Sequence, residues 1–150
     1  MPGIPNNELN IDACVRFSQW LNVDVSASNP ANRLPLLCDT QHDIYVVGIE
    51  SYVTAQGDTN GADVVLSIGS AGDNDLVGTL TIAKAATPAT GAAEAGTLNS
   101  ATRSTVEEAR GGVLVPKGTP ILTYYTNSGT NVAERAVRIS YVLVDENFHD

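Results

Sequence analysis

A chain of 150 residues, 43% of them hydrophobic, carries enough apolar side chain to build one compact domain, which excludes the composition of a disordered tail. Eight Lys and Arg stand against seventeen Asp and Glu, and the formal charge of −9 opposes a phosphate backbone, so nucleic acid is not an expected partner. The opening residues, MPGIPNNELN, lack a basic segment followed by an apolar core, and no apolar run approaches the roughly 18 residues of a membrane span, so the reading is a soluble protein made in a cytoplasm, with no membrane partner.

Residues 1–42 are set apart by Pro2, Pro5, Pro30 and Pro35 and by the extended-looking SASNPANRLPLL, and are expected to form an N-terminal arm ahead of a domain over 43–150. Within the arm, Ile11, Cys14, Phe17 and Leu21 have helical spacing behind Asn10 as a possible N-cap, while WLNVDVSA suits a strand; a short helix running into a strand is expected. Cys14 and Cys38 are too few for a disulfide framework, and a cytoplasmic origin favours free, packed thiols.

From Asp43 the apolar period becomes two. Tyr45, Val47, Ile49 and Val53 are expected on one face of a strand, with Glu50 on the other face together with Ile44, Val46 and Tyr52. Val64, Leu66 and Ile68, then Leu80 and Ile82, mark two further strands separated by the turn-rich AQGDTNGAD and SAGDND. Residues 83–96, nearly all small, read as a long surface loop interrupted by Pro88 and Gly91. Ser104 with Glu107 forms a capping-box signature for a short helix ended by Gly111. The final stretch, VPKGTPILTYYTNSGTNVAERAVRISYVLVD, reads as a hairpin of two alternating strands with a displayed loop over 126–134. Seven or eight strands and at most one or two short helices predict an all-β fold, an antiparallel β-sandwich of jelly-roll type.

The residues that carry chemistry are sparse. His42 and His149 are the two histidines, and SIGSAG departs from a nucleophile elbow at Ile68. Neither Lys84 nor Lys117 closes a phosphate-binding loop. Asp58, Asn60, Asp63, Asp73, Asn74 and Asp75 fall in two successive loops, but their spacing is not that of an EF-hand, and Asp and Asn are turn formers in their own right. Glu107 and Glu108 are neighbours that do not flank a common substrate, and Cys14, Cys38 and His42 match no structural zinc pattern. Trp20 with Tyr124 and Tyr125 invites a carbohydrate groove, although adjacent strand residues face opposite sides. No catalytic residue, metal or cofactor is therefore assigned.

The succession of strands, an Ala/Thr/Gly-rich loop, VPKGTPILTYYT, NSGTN and a closing RAVRISYVLV over Asp43 to Val144 resembles the jelly-roll decoration, or cement, proteins of tailed-phage virions. The resemblance implies a non-enzymatic homotrimer without a cofactor. Such a protein is assembled in the host cytoplasm, sits on the capsid exterior, and has the major capsid protein as its partner. It further implies an N-terminal arm that reaches a neighbour. The arm is expected to make the capsid contact, with Phe17, Trp20, Leu34, Leu36 and Leu37 as apolar contacts and Arg16 and Arg33 as charged ones, and removal of residues 1–35 is expected to abolish shell binding but leave the fold intact. The alternatives are a carbohydrate-binding adhesion module, a tail or fibre domain, or a small hydrolase in which His42 sits beside an acid in a pocket.

Overall fold

The computed structural model describes residues 15–26, 33–58, 61–85, 88–99, 112–126 and 130–144. Among them there is no helix, and eleven strands form two antiparallel sheets packed as a jelly-roll-like sandwich. The strands are β1 (Arg16–Phe17), β2 (Leu21–Asp24), β3 (Leu34–Leu37), β4 (Ile44–Ala55), β5 (Val64–Gly69), β6 (Gly78–Ile82), β7 (Ala93–Ala95), β8 (Thr97–Leu98), β9 (Val113–Val115), β10 (Ile121–Tyr124) and β11 (Glu134–Leu143).

The six-stranded sheet is centred on β4 and β11, with β1 and β2 sharing the free side of β11, and β7 and β9 sharing the free side of β4. The five-stranded sheet runs β3-β10-β5-β6-β8. From β6 onward each successive strand lies in the other sheet, so both inner faces are built together from interleaved sequence.

The period-two reading holds where the strands are regular. Val64, Leu66 and Ile68 of β5, Leu80 and Ile82 of β6, and Val137 and Ile139 of β11 are all in the core, with Tyr141 and Leu143 packed against it. In β4 the expected phase is correct only for the second half. Ile44 and Val46 are buried at one end, Ile49, Ser51 and Val53 at the other, and Tyr45 and Val47 are only partly buried. The pairing with β11 explains the switch: Tyr141 faces Val46 and Ser140 faces Gly48, so Val47 is an extra residue and the strand changes phase at a bulge.

Two further expectations are corrected by the pairing. The closing stretch is not a hairpin, because β10 pairs with β3 and β5 while β11 pairs with β1, β2 and β4 in the opposite sheet. Its connection is tied down at Asn131, which is fully buried. The Asn131 amide donates to the carbonyls of Ala62 and Ile82 at 3.0 and 3.3 Å, and its oxygen accepts from the N–H of Ala133 at 2.9 Å. The small-residue stretch 83–96 is not loop throughout, since β7 pairs there with Glu50, Ser51 and Tyr52. The turn in VPKGTP forms as its residues require: Thr119 N–H bonds the Pro116 carbonyl at 3.2 Å, and Gly118 takes φ 79°, the left-handed third position of a type II turn.

The boundary expected at 42/43 runs through the sandwich. Both sheets draw strands from residues 16–37, and Val23, Val25 and Leu36 are core residues. Pro35 is tolerated because β3 is an edge strand, with a ladder partner on one side only. Residues 1–14, including Ile11 and Cys14 of the expected helix, and the Ser104–Gly111 helix lie outside the described residues. Cys38 is an exposed free thiol rather than a packed one.

Between the sheets, Tyr125 is buried, and its hydroxyl donates to the Asp24 carbonyl at 2.9 Å, joining β10 to the end of β2. Burial, assisted by the Asp24 charge, raises its pKa above the ordinary phenol value. Tyr125→Phe is expected to cost about 1 kcal/mol in urea unfolding. The raised pKa means the folded state holds the proton more tightly. The linked stability is complete below the ordinary phenol pKa of about 10 and is lost as pH rises through the folded value. The variant should therefore lose less stability than the parent above that pH. Deleting residues 1–35, which removes Val23 and Val25 and the edge pairing of β11, should abolish cooperative unfolding, read by circular dichroism in urea.

Candidate functional site

The edge strand beside β11 is broken in a way that builds the most distinctive surface of the protein. Phe17 faces Ser140 and Leu21 faces Val137, so Ser18, Gln19 and Trp20 on the edge stand opposite only Ile139 and Arg138. One residue is in excess, and the edge bulges between β1 and β2. Ser18 keeps the ladder closed: its N–H donates to the Ile139 carbonyl at 3.0 Å, and its Oγ accepts from the Ile139 N–H at 3.0 Å, the place a backbone carbonyl would fill. Ser18 is buried by this exchange, while Gln19 and Trp20 stay exposed.

Trp20 is thereby held on the outer face of the six-stranded sheet. On that face Arg138 of β11 lies opposite Glu50 of β4, and Ala136 opposite Tyr52. The Arg138 guanidinium carbon is 4.1 Å from the centroid of Phe17 and 4.3 Å from that of Trp20, with Nε donating to Glu50 Oε2 at 2.7 Å. Trp20 meets Tyr52 edge-on, with centroids 5.0 Å apart and rings at 78°. Both contacts follow the ring quadrupole, which draws a cation to the face and another ring's edge toward the π cloud. Phe17, Trp20 and Tyr52 nevertheless remain 48%, 44% and 37% exposed, so three aromatic side chains share one solvent-facing cluster. Beyond Tyr52 the face turns polar, as Thr54 donates to Asn22 and Asn22 donates to Glu134.

The contact residues expected from sequence divide between two surfaces and the interior. Phe17 and Trp20 lie at the outer-face cluster, while Arg16, exposed, pairs with the core-packed Tyr141 and so alternates to the other face of β1. Arg33 and Leu34 lie at the edge of the other sheet, where Arg33 donates to the Ala71 carbonyl at 2.8 Å and sits 5.2 Å from the ring of Tyr124. Leu36 is in the core and Leu37, partly buried, packs against it. Sequence reasoning missed Arg138, Glu50 and Tyr52. The available signal was their phase, since all three alternate with the core positions of the two longest strands.

The carbohydrate groove is not assembled: Tyr125 is buried, Tyr124 is on the opposite side of β10, and Trp20 is on the other sheet. His42 does sit beside an acid, with Nδ1 3.2 Å from Asp39 Oδ1, but as part of an exposed local turn. Burial opposes the Asp39 charge, and the N–H groups of Gln41 and His42 with the His42 ring outweigh it, holding the carboxyl below its ordinary range. Asp63 accepts from the Lys84 N–H, and Asp73 shapes a turn with Ser70. Among the described residues no three His, Cys, Asp or Glu side chains form a group able to hold a metal ion.

A second unusual charge lies under β7. Arg135 is 1% exposed, and its Nε pairs with Glu94 of the small-residue stretch while its Nη1 donates to the carbonyls of Ala55 and Glu134. The pair fastens β7 to the β4–β11 core, and removing Glu94 alone would leave a buried, uncompensated cation.

No family model matches the chain, and no curated protein matches it. Among solved structures it is similar to a chain of the cyanophage Pam1 capsid asymmetric unit, with a TM-score of 0.50 and 17% identity over 87% of this chain and 85% of that one. At that identity the likeness establishes a shared fold, and it spans nearly the whole of both chains.

Ser18→Ala removes the acceptor for the Ile139 N–H and is expected to cost about 1–2 kcal/mol in denaturant unfolding. It should also loosen the loop that carries Trp20, seen as lower fluorescence anisotropy of this sole tryptophan. Anisotropy equal to that of the parent would show that the bulge does not hold the ring.

Proposed function

We propose that the protein is a structural component of a phage virion, a decoration or cement protein that binds the outer surface of the head and stabilises the shell. Its partners on this reading are the major capsid protein and further copies of itself in a homotrimer. The observation that carries the proposal is the fold shared with a capsid chain over almost the full length of both. The outer-face cluster supports it independently. Aromatic residues and Arg are the side chains enriched where protein surfaces meet, and three exposed rings around one Arg on a rigid sheet are a pre-organised contact.

Cementing a shell asks for area and rigidity rather than catalysis. Each joint that buries apolar surface contributes roughly 25 cal/mol per Å² before the cost of association, and the copy number of a shell multiplies it. The cluster rather than a detachable arm is the contact, because the strands at 16–37 are needed by the fold itself.

The test is co-sedimentation with purified phage shells that lack the protein. The parent should pellet with the shells and raise the temperature at which they release their contents. The Phe17→Ser/Trp20→Ser variant, folded by circular dichroism, should bind at least about tenfold more weakly. A parent that stays in the supernatant would contradict the proposal.

A further inference from the structure

Two short strands share the free side of β4, and different physics holds each of them there. β9 is fixed by burial, since Val113 and Val115 are both interior. β7 has no such anchor. No residue over 88–99 is fully buried, Ala93 and Ala95 are exposed, and the side chain that β7 sets beside the buried Ser51 is Glu94. Its partner Arg135 lies opposite the buried Val23 and Val53, and so points between the sheets. The rest of the hold is backbone and hydroxyl. Gly91 N–H donates to the Val53 carbonyl at 2.7 Å, Val53 N–H to the Ala92 carbonyl at 2.9 Å, and Ser51 Oγ to the Glu94 carbonyl at 3.0 Å. Glu50 and Glu134, the other carboxylates of the flanking strands, are engaged by Arg138 and Asn22 on the outer face, so neither replaces Glu94.

The segment is fastened on either side of this stretch. Before it, the Lys84 N–H donates to Asp63 Oδ1 at 2.9 Å. After it, Gly96 packs so closely on Ile49 that a Cβ would lie 2.6 Å from its Cγ2, and Thr97 and Leu98 join β6 in the other sheet.

We propose that residues 88–95 are a strap that opens while the sandwich stays folded, with the Arg135–Glu94 pair as its latch. Arg keeps its charge, so loss of the Glu94 charge leaves a buried guanidinium with no counter-charge. Lifting the strap is the smallest movement that returns water to that cation. It breaks three register pairs and withdraws no core side chain, whereas unfolding the sandwich withdraws them all. Lifting it also bares the backbone of β4 from Ile49 to Val53 in the longest strand of the protein, so the closed latch guards that edge against pairing with another chain.

Native-state hydrogen exchange of the full chain, read by NMR, tests the latch. In the parent, the Gly91 and Val53 amides should exchange faster than those of the β5–β6 ladder and with little dependence on urea, which marks a local opening. Glu94→Gln should speed the strap amides about a hundredfold or more while the β5–β6 amides remain the slowest in the protein. Glu94→Gln/Arg135→Met leaves no orphaned charge and should return the strap amides to within about tenfold of the parent. Ser51→Ala keeps the ion pair, removes one strap hydrogen bond, and should speed the strap amides about fivefold, a test that stands even where Glu94→Gln does not fold. Strap amides in the parent no faster than the β5–β6 ladder, strap protection unchanged in Glu94→Gln or Ser51→Ala, strap and ladder protection lost together in Glu94→Gln, or a double variant whose strap stays open would each overturn the proposal.

Discussion

The ladder between β4 and β11 is the constraint on which the rest of the structure depends. Ten register pairs join the two longest strands, and every strand of the six-stranded sheet pairs with one of them. Their inner faces supply Ile44, Val46, Ile49, Val137 and Ile139 to the core, so the second sheet packs where this ladder directs it. Their outer faces supply Glu50, Tyr52 and Arg138, so the exposed cluster is the reverse side of the same pairing.

Irregularities in this frame carry the functional features. The bulge at Val47 lets β4 bury even-numbered positions at one end and odd-numbered ones at the other, which keeps Glu50 and Tyr52 outside. The bulge at Ser18–Trp20 aims a tryptophan across Arg138 rather than along the edge. A broken, twisted edge with charged neighbours is also poor at adding a further strand, so this flank offers side chains for docking while discouraging edge-to-edge pairing. The buried Arg135–Glu94 pair closes the opposite flank by holding β7 in place.

How much of this was legible follows from range. Regular alternation in β5, β6 and β11 depends only on neighbours two residues apart, and it located those strands and their core positions correctly. The all-β class followed from the same signal. Pro30 and Pro35 suggested a detachable arm because proline reports local backbone restriction, whereas the pairing that incorporates β3 is made with Ile121, Leu122 and Thr123 far along the chain. The hairpin reading of the final stretch failed for a related reason: an apolar strand, a polar loop and a second apolar strand look alike whether the strands pair or face each other across a sandwich. At the site, Phe17 and Trp20 stood out by residue type, but Arg138 and Glu50 are ordinary in sequence and become distinctive only when two strands 88 residues apart bring them to 2.7 Å.

The central claim is that the aromatic face around Arg138 is covered in the assembled state, and the emission of Trp20 tests it most directly, since it is the sole tryptophan and belongs to that face. The account predicts a red, iodide-quenchable emission at high dilution that shifts to the blue and becomes shielded from quencher as the protein is concentrated or bound to shells. An emission that stays red and equally quenchable under all these conditions would contradict it.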